Sequence, residues 1–176
     1  MDRLRGLEEL DLTSVSEQGI QAVARLSGLR RLTLDGGCRS RAVPLLGALT
    51  RLQMLDLVGD LDDGALGFLT DLPELRELRL GGAYGDPTLA RLAGCGRLER
   101  LSLVGRANAI SDSGLGALTA LPLRELFLSL DSPDLTVEGV LRAFRDHPTL
   151  RRLSVYGPLR RGRAELRSGL PLVHVR

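Results

Sequence analysis

The chain has 176 residues, 43% of them apolar, with 24 basic against 22 acidic side chains and a net charge of +2. No apolar run reaches the roughly 18 residues that a membrane-crossing helix needs, and none follows Met1-Asp2-Arg3-Leu4 as a secretion signal requires. No membrane partner is therefore expected, and a cytoplasmic location is.

In chain order, one pattern returns throughout: L-x-x-L-x-L. It appears first as Leu7-Glu-Glu-Leu10-Asp-Leu12, then as Leu29-Arg-Arg-Leu32-Thr-Leu34 and Leu52-Gln-Met-Leu55-Asp-Leu57. Leu75-Arg-Glu-Leu78-Arg-Leu80, Leu98-Glu-Arg-Leu101-Ser-Leu103, Leu123-Arg-Glu-Leu126-Phe-Leu128 and Leu150-Arg-Arg-Leu153-Ser-Val155 follow. The first leucines stand 22, 23, 23, 23, 25 and 27 residues apart, so the copies are in phase. Apolar residues spaced by three lie between successive copies: Ile20, Val23, Leu26; Val43, Leu46, Leu49; Leu66, Leu69, Leu72; and Leu89, Leu92, Cys95. Period two in L-x-L marks a strand and spacing by three a helix. Each unit thus reads as a strand, a turn and a helix of two to three turns. Helix starts are expected at Ser16, at Asp62 or Asp63, at Asp86 before Pro87, at Ser111 or Asp112, and at Thr136. Their side chains can accept the free N–H groups of a first turn. Gly36, Gly59, Gly82, Gly105 and Gly157 follow the strands at one offset, where a tight turn is expected.

The units resemble those of leucine-rich-repeat proteins over nearly the whole chain. Leu61-Asp-Asp-Gly-Ala-Leu66 and Ile110-Ser-Asp-Ser-Gly-Leu115 resemble the helix beginnings of the ribonuclease-inhibitor and cysteine-containing (F-box-associated) subtypes. The resemblance implies an α/β leucine-rich-repeat solenoid, a horseshoe of seven strand-turn-helix repeats. Its parallel sheet lines the concave face and its helices the convex face. One unit cannot bury its leucines alone, whereas stacked units bury them against each other. Many members of the family place an asparagine or cysteine ladder just after the strand. Here Val15, Gly37, Asp60, Ala83, Arg106, Asp131 and Pro158 stand there, so backbone and water are expected to satisfy the turns.

Leu4-Arg-Gly-Leu7 matches Leu26-Ser-Gly-Leu29, the tail of a repeat. Residues 1–176 are therefore expected to be one leucine-rich-repeat domain from the carboxy-terminal part of a longer protein. The alternative is a chain whose uncapped first strand pairs with a partner or a second copy; otherwise a monomer is expected. Residues 161–168 read as a last helix, and Leu170-Pro-Leu172 resembles Leu121-Pro-Leu123, which precedes a strand. His174 and Arg176 make that edge polar, which discourages edge pairing.

Residue types that carry chemistry are scattered. Every basic residue is arginine, beside one asparagine and two isoleucines, a GC-rich codon bias that points to a bacterial genome rather than to nucleic-acid binding. Cys38 and Cys95 lack metal-ligand spacing and read as inert thiols, Cys95 in place of a core leucine. His147, three residues before Leu150, reads as a packed helix-end residue unrelated to His174. Gly36-Gly37 and Gly81-Gly82 read as turns without a phosphate-binding motif. Asp60-Leu-Asp62-Asp63 lacks calcium-ligand spacing and reads as a helix-capping loop. No catalytic residue, metal or cofactor is expected.

What remains is a surface. Strand side chains alternate, so the x positions of the repeat form outward columns. The first runs Glu9, Arg31, Met54, Glu77, Arg100, Glu125, Arg152; the second Asp11, Thr33, Asp56, Arg79, Ser102, Phe127, Ser154; the third Thr13, Asp35, Val58, Gly81, Val104, Ser129, Tyr156. The charges read either as an internal ion-pair ladder or as a binding face. The candidate partner-binding residues are Glu77, Arg79, Arg100, Ser102, Glu125, Phe127, Arg152, Ser154 and Tyr156, with the two aromatics as anchors. Up to residue 141 there are 15 arginines against 20 acids, and from 142 onward 9 against 2. Arg151, Arg160, Arg161 and Arg163 form a candidate basic patch at that end. The leading expectation is a non-catalytic module that binds a protein partner. By resemblance it would be the sensor region of a larger bacterial signalling or immune-type protein. The alternatives are a substrate adaptor or effector of the F-box-associated type, and a nucleic-acid or acidic-ligand site at the basic end. The lack of interleaved aromatics there disfavours nucleic acid.

Overall fold

The computed structural model describes residues 6–36, 41–106 and 109–176. Gly37, Cys38 and Leu4 lie outside that set, so the expectations placed on them have no structural counterpart here. Each L-x-L segment is a strand: β1 (Glu9–Thr13), β2 (Arg31–Asp35), β3 (Met54–Val58), β4 (Glu77–Gly81), β5 (Arg100–Arg106), β6 (Glu125–Asp131) and β7 (Arg152–Tyr156). A two-residue β8 (His174–Val175) makes eight strands among the described residues, where the repeat count predicts seven. All pair in parallel, each with its neighbours in the chain, in the order β1 to β8. The register aligns leucine with leucine, for example Leu55 with Leu78 and Leu78 with Leu101. These leucines point inward and meet the apolar residues of the connecting helices in one core. Within one repeat, Leu98 and Leu103 are 0% exposed and Leu101 is 2% exposed. Each fully buried leucine contributes about 1.5–3 kcal/mol. The sheet is open and the helical segments cover its inner face, which is the predicted leucine-rich-repeat solenoid.

The connecting helices run from about one and a half turns to just over two, and not all of them are α-helical. Helices α1 (Glu17–Val23), α2 (Asp86–Leu92), α3 (Asp112–Gly116), α4 (Val137–Phe144) and α5 (Arg163–Gly169) are α-helical. Val43–Ala48 and Ala65–Asp71 are instead 3₁₀-helices, and 3₁₀ turns also follow α3 and precede α5. A 3₁₀-helix has three residues per turn. Spacing by three therefore puts Val43 over Leu46 and Leu66 over Leu69, all fully buried. Pro44 near the start and the absence of a capping hydroxyl at Ala42 and Gly64 fit the tighter form.

The turns are held by an aspartate relay that the sequence pattern does not display. Asp63 Oδ1 accepts from Gly85 N–H (3.1 Å), Thr88 N–H (3.0 Å) and the Thr88 hydroxyl (2.5 Å) at the start of α2. Asp86 was expected to cap its own helix. Its carboxylate instead reaches the next repeat and accepts from Ser111 N–H (2.8 Å) and the Ser111 hydroxyl (2.6 Å). Asp112 repeats the contact on Thr136 N–H (2.7 Å) and the Thr136 hydroxyl (2.7 Å). Ser111 and Thr136 are the caps of α3 and α4, accepting from Gly114 N–H (3.2 Å) and Gly139 N–H (3.0 Å). Ser16 caps α1 in the same way, and Asp62 serves its own turn through Ala65 N–H (2.8 Å).

The relay dictates where glycine stands. A Cβ at Gly114 would lie 1.9 Å from Asp86 Oδ1, and one at Gly139 2.0 Å from Asp112 Oδ1. At α2 the residues trade places: the hydroxyl is Thr88, and the glycine is Gly85, whose Cβ would lie 2.7 Å from the Ala109 carbonyl oxygen. Backbone groups hold the other turns, with Gly36 N–H donating to Val58 O (2.9 Å) and Gly59 N–H to Gly81 O (2.9 Å). The buried Tyr84 hydroxyl donates to Leu80 O (3.0 Å) and lies 3.3 Å from Val104 O. The expectation that backbone and water alone satisfy the turns is thus corrected. Of the five glycines after strands, Gly36 (φ +74°) and Gly157 (φ +65°) adopt the left-handed conformation, and Ser14 (φ 54°) shares it. Gly82 serves another purpose, because a Cβ there would lie 2.8 Å from Leu61 O.

Alanine in a helix is ordinarily about 1 kcal/mol better than glycine. Gly114→Ala is expected to destabilise the protein, and to do so much less in an Asp86→Ala background. Urea unfolding of the two single variants and the double variant gives the coupling; independent effects would contradict the relay.

Candidate functional site: the concave face of the sheet

The parallel register reproduces the three outward columns. Glu77, Arg100, Glu125 and Arg152 are successive partners in the first column, and Arg79, Ser102, Phe127 and Ser154 in the second. Tyr156 pairs with Ser129 in the third. All nine candidate partner-binding residues therefore share one face of the sheet.

Their charges are largely committed to one another. Arg100 donates from Nε (3.0 Å) and Nη2 (2.7 Å) to the same oxygen of Glu77. Arg152 lies 2.6 Å from Glu125, and Arg79 is 3.0 Å from Asp56. Arg31 approaches Glu9 at 3.8 Å. A neighbouring column at the strand starts adds Arg30 with Glu8 (3.5 Å) and Glu99 between Arg76 (3.0 Å) and Arg124 (3.3 Å). Exposed pairs of this kind contribute about 0–1 kcal/mol each. They neutralise the face more than they hold it together. Asp56 is the exception that sequence reasoning missed: its Oδ1 is buried without a hydrogen-bond partner, beside Met54 and Arg79 in the groove.

The aromatics stand apart from the charge ladder. Phe127 and Tyr156 lie diagonally across β6 and β7 with ring centroids 5.1 Å apart. Ser102 and Ser154 flank Phe127 on either side. Tyr156 is 43% exposed. Arg163 covers the Tyr156 ring at 5.3 Å and donates from Nη2 to Val155 O (2.8 Å).

The candidate basic patch is divided by the fold. Arg151 precedes β7, whereas Arg160 and Arg161 follow it in the 3₁₀ turn Gly157–Gly162. The five residues of β7 separate the groups by about 16 Å of strand. Arg163 is half-buried against β7. Arg151 instead shares a groove with Arg124, Glu125, Arg152, His174 and Arg176.

Cys95 and His147 are enclosed, whereas His174 is exposed. Cys95 is 6% exposed, its thiol 3.5 Å from Leu69 O, and burial pushes its pKa up to about 11. His147 Nδ1 accepts from Leu150 N–H (3.1 Å), and its ring lies 5.6 Å from that of Phe144. Burial holds its pKa below the ordinary histidine range; the Leu121 carbonyl opposes this shift and the Arg151 charge adds to it. Among the described residues, no group of three or more His, Cys, Asp or Glu is placed to hold a metal ion. No helix among them is long and apolar enough to cross a membrane.

Comparison with protein-family models gives no match, and comparison with curated proteins gives none either. Solved structures do match. One is the crystal structure of an internalin (inlF) from Listeria monocytogenes, with a TM-score of 0.68 and 21% sequence identity. The match covers 95% of this chain and 46% of that one, so the chain spans less than half the length of the internalin. The likeness shows the fold. It lends no support to the ribonuclease-inhibitor or F-box-associated subtype suggested by the helix beginnings.

Two outcomes follow for this surface. Glu77→Ala and Arg100→Ala should couple by less than about 1 kcal/mol in a double-mutant cycle; a larger coupling would make the ladder a main source of stability. His147 binds its proton less readily folded than unfolded, so stability should fall as pH drops below about 6.5. His147→Leu should flatten that fall, read from urea unfolding at about pH 7.5 and about pH 5.5; an unchanged slope would place the titration elsewhere.

Proposed function

We propose that this chain is a protein-recognition module that binds a protein partner through the concave sheet, with Phe127 and Tyr156 as anchors. The observation that carries the reading is an aromatic pair, Tyr156 exposed and Phe127 half-buried, beside a ladder of self-paired charges. Aromatic residues and arginine dominate binding energy where they leave water on complex formation. The two rings already rest against each other, tilted by 31°, so little side-chain freedom is lost when a partner settles on them. Ser102 and Ser154 offer hydroxyls beside it at low steric cost. The internalin-like fold is consistent with a recognition surface. The finer reading, the sensor region of a larger bacterial signalling protein, rests on the resemblance of the repeats alone. The adaptor or effector reading likewise rests only on the resemblance of the helix beginnings.

Phe127→Ala combined with Tyr156→Ala should weaken binding of the cellular partner at least about thirtyfold, the effect of a hot spot of about 2 kcal/mol. Stability should fall by only about 1 kcal/mol, because the rings meet on the outward face of the sheet and lie outside the core. Titration calorimetry with the purified partner, alongside thermal melts, tests both. Unaltered affinity with a normal melt would refute the anchor.

A further inference from the structure

The ion-pair ladder neutralises most of the concave face but fails at its last corner. Glu99 accepts from Arg76 and forms an ion pair with Arg124, and Glu125 is taken by Arg152. Arg151 and Arg176 have no carboxylate side-chain partner among the described residues. Arg151 donates to its own neighbour's carbonyl, Leu150 O (2.9 Å), and Arg176 Nε donates to His174 Nε2 (3.0 Å). Arg176 is fixed on the last edge by Arg176 N–H to Leu153 O (2.9 Å) and Val155 N–H to Arg176 O (3.0 Å). This places it beside Ser154, which is the partner of Phe127 across β6 and β7. Among the side chains lining this groove, four arginines stand against the single carboxylate of Glu125. The cationic surplus and the aromatic anchor thus adjoin, with Arg152 and Glu125 lining the grooves on both sides.

We infer that this corner takes an acidic polypeptide segment, with carboxylates against Arg151 and Arg176 and an apolar side chain on the Phe127–Tyr156 pair. The inference rests on the recognition reading for its placement and adds the chemistry of the partner. Charge complementarity selects acidic over basic or neutral segments. The ring geometry argues against nucleic acid, which uses aromatic faces as stacking platforms. The Tyr156 ring already has Arg163 over it and Phe127 beside it. A segment with spaced carboxylates and one apolar side chain needs no free ring face.

The probe is a fluorescein-labelled peptide of glutamates around one central leucine, followed by fluorescence anisotropy. An all-glutamate peptide and an oligodeoxynucleotide of equal charge serve as comparisons. The leucine peptide should bind, and Arg151→Glu with Arg176→Glu should weaken it at least about tenfold. Arg160→Glu with Arg161→Glu makes the same change in net charge beyond the far end of β7 and should weaken it less than about twofold. Arg151→Gln with Arg176→Gln repeats the test without introducing acids. Phe127→Ala with Tyr156→Ala should reduce the leucine peptide to the affinity of the all-glutamate one. No binding at about 1 mM peptide, equal loss from the two charge-reversal pairs, or tighter binding of the oligonucleotide overturns the inference. Loss with the Arg151 and Arg176 pair but none with the aromatic pair overturns the anchor instead and leaves the acidic site standing.

Discussion

Every repeat depends on its neighbours to bury its leucines. A single strand and its short helix have too little apolar surface to exclude water, and a parallel strand pair has no tight hairpin to hold it. The stack meets both needs, because in-phase leucines such as Leu55, Leu78 and Leu101 pair across the strands and seal against the helical turns. Register then follows without further instruction. A slip of one residue would turn those leucines outward and bring Asp56, Arg79 and Ser102 into the core. All the surface columns inherit their alignment from that constraint.

The same stacking carries the polar architecture. Helices of five to eight residues are too short to persist by themselves. Three of them begin on an aspartate supplied by the repeat before, and the glycines at Gly114 and Gly139 leave room for those carboxylates. A hydroxyl, a glycine and an aspartate thus form one unit spread over two repeats. The charged rungs on the concave face are looser and more exposed. They leave the aromatic pair and the unpaired arginines as the features that differ from the repetitive background.

The outward columns were legible because they depend only on period two and on repeats in phase, so Phe127 and Tyr156 could be placed on one face from the sequence. The aspartate relay was not. Asp86 stands beside Pro87 at a helix start, where a local cap is the natural reading, and its actual partner Ser111 lies 25 residues on. Which neighbour wins is settled by how the helices stack, and no periodicity records that. The choice between α and 3₁₀ at Val43 and Leu66 was hidden for a related reason, since spacing by three is common to both kinds of unit. The arginines near the carboxy end read as one patch because they are close in sequence. The five-residue β7 carries Arg160 away from Arg151, and the short β8, whose edge character was legible in His174, brings Arg176 back beside it.

The relay also ties each unit to the next in both directions. From the fourth repeat to the sixth, each helix start is held by an aspartate of the unit before it. The later units answer with bonds of their own, Arg91 donating to Asp63 O (2.8 Å) and the Ser132 hydroxyl to Ile110 O (2.5 Å). Opening any one unit therefore removes bonds from the units on both sides of it, and disorder entering this region spreads both ways. A repeat exchanged or duplicated within this stretch would keep its neighbours ordered only if it brought both an aspartate to give and a hydroxyl to receive.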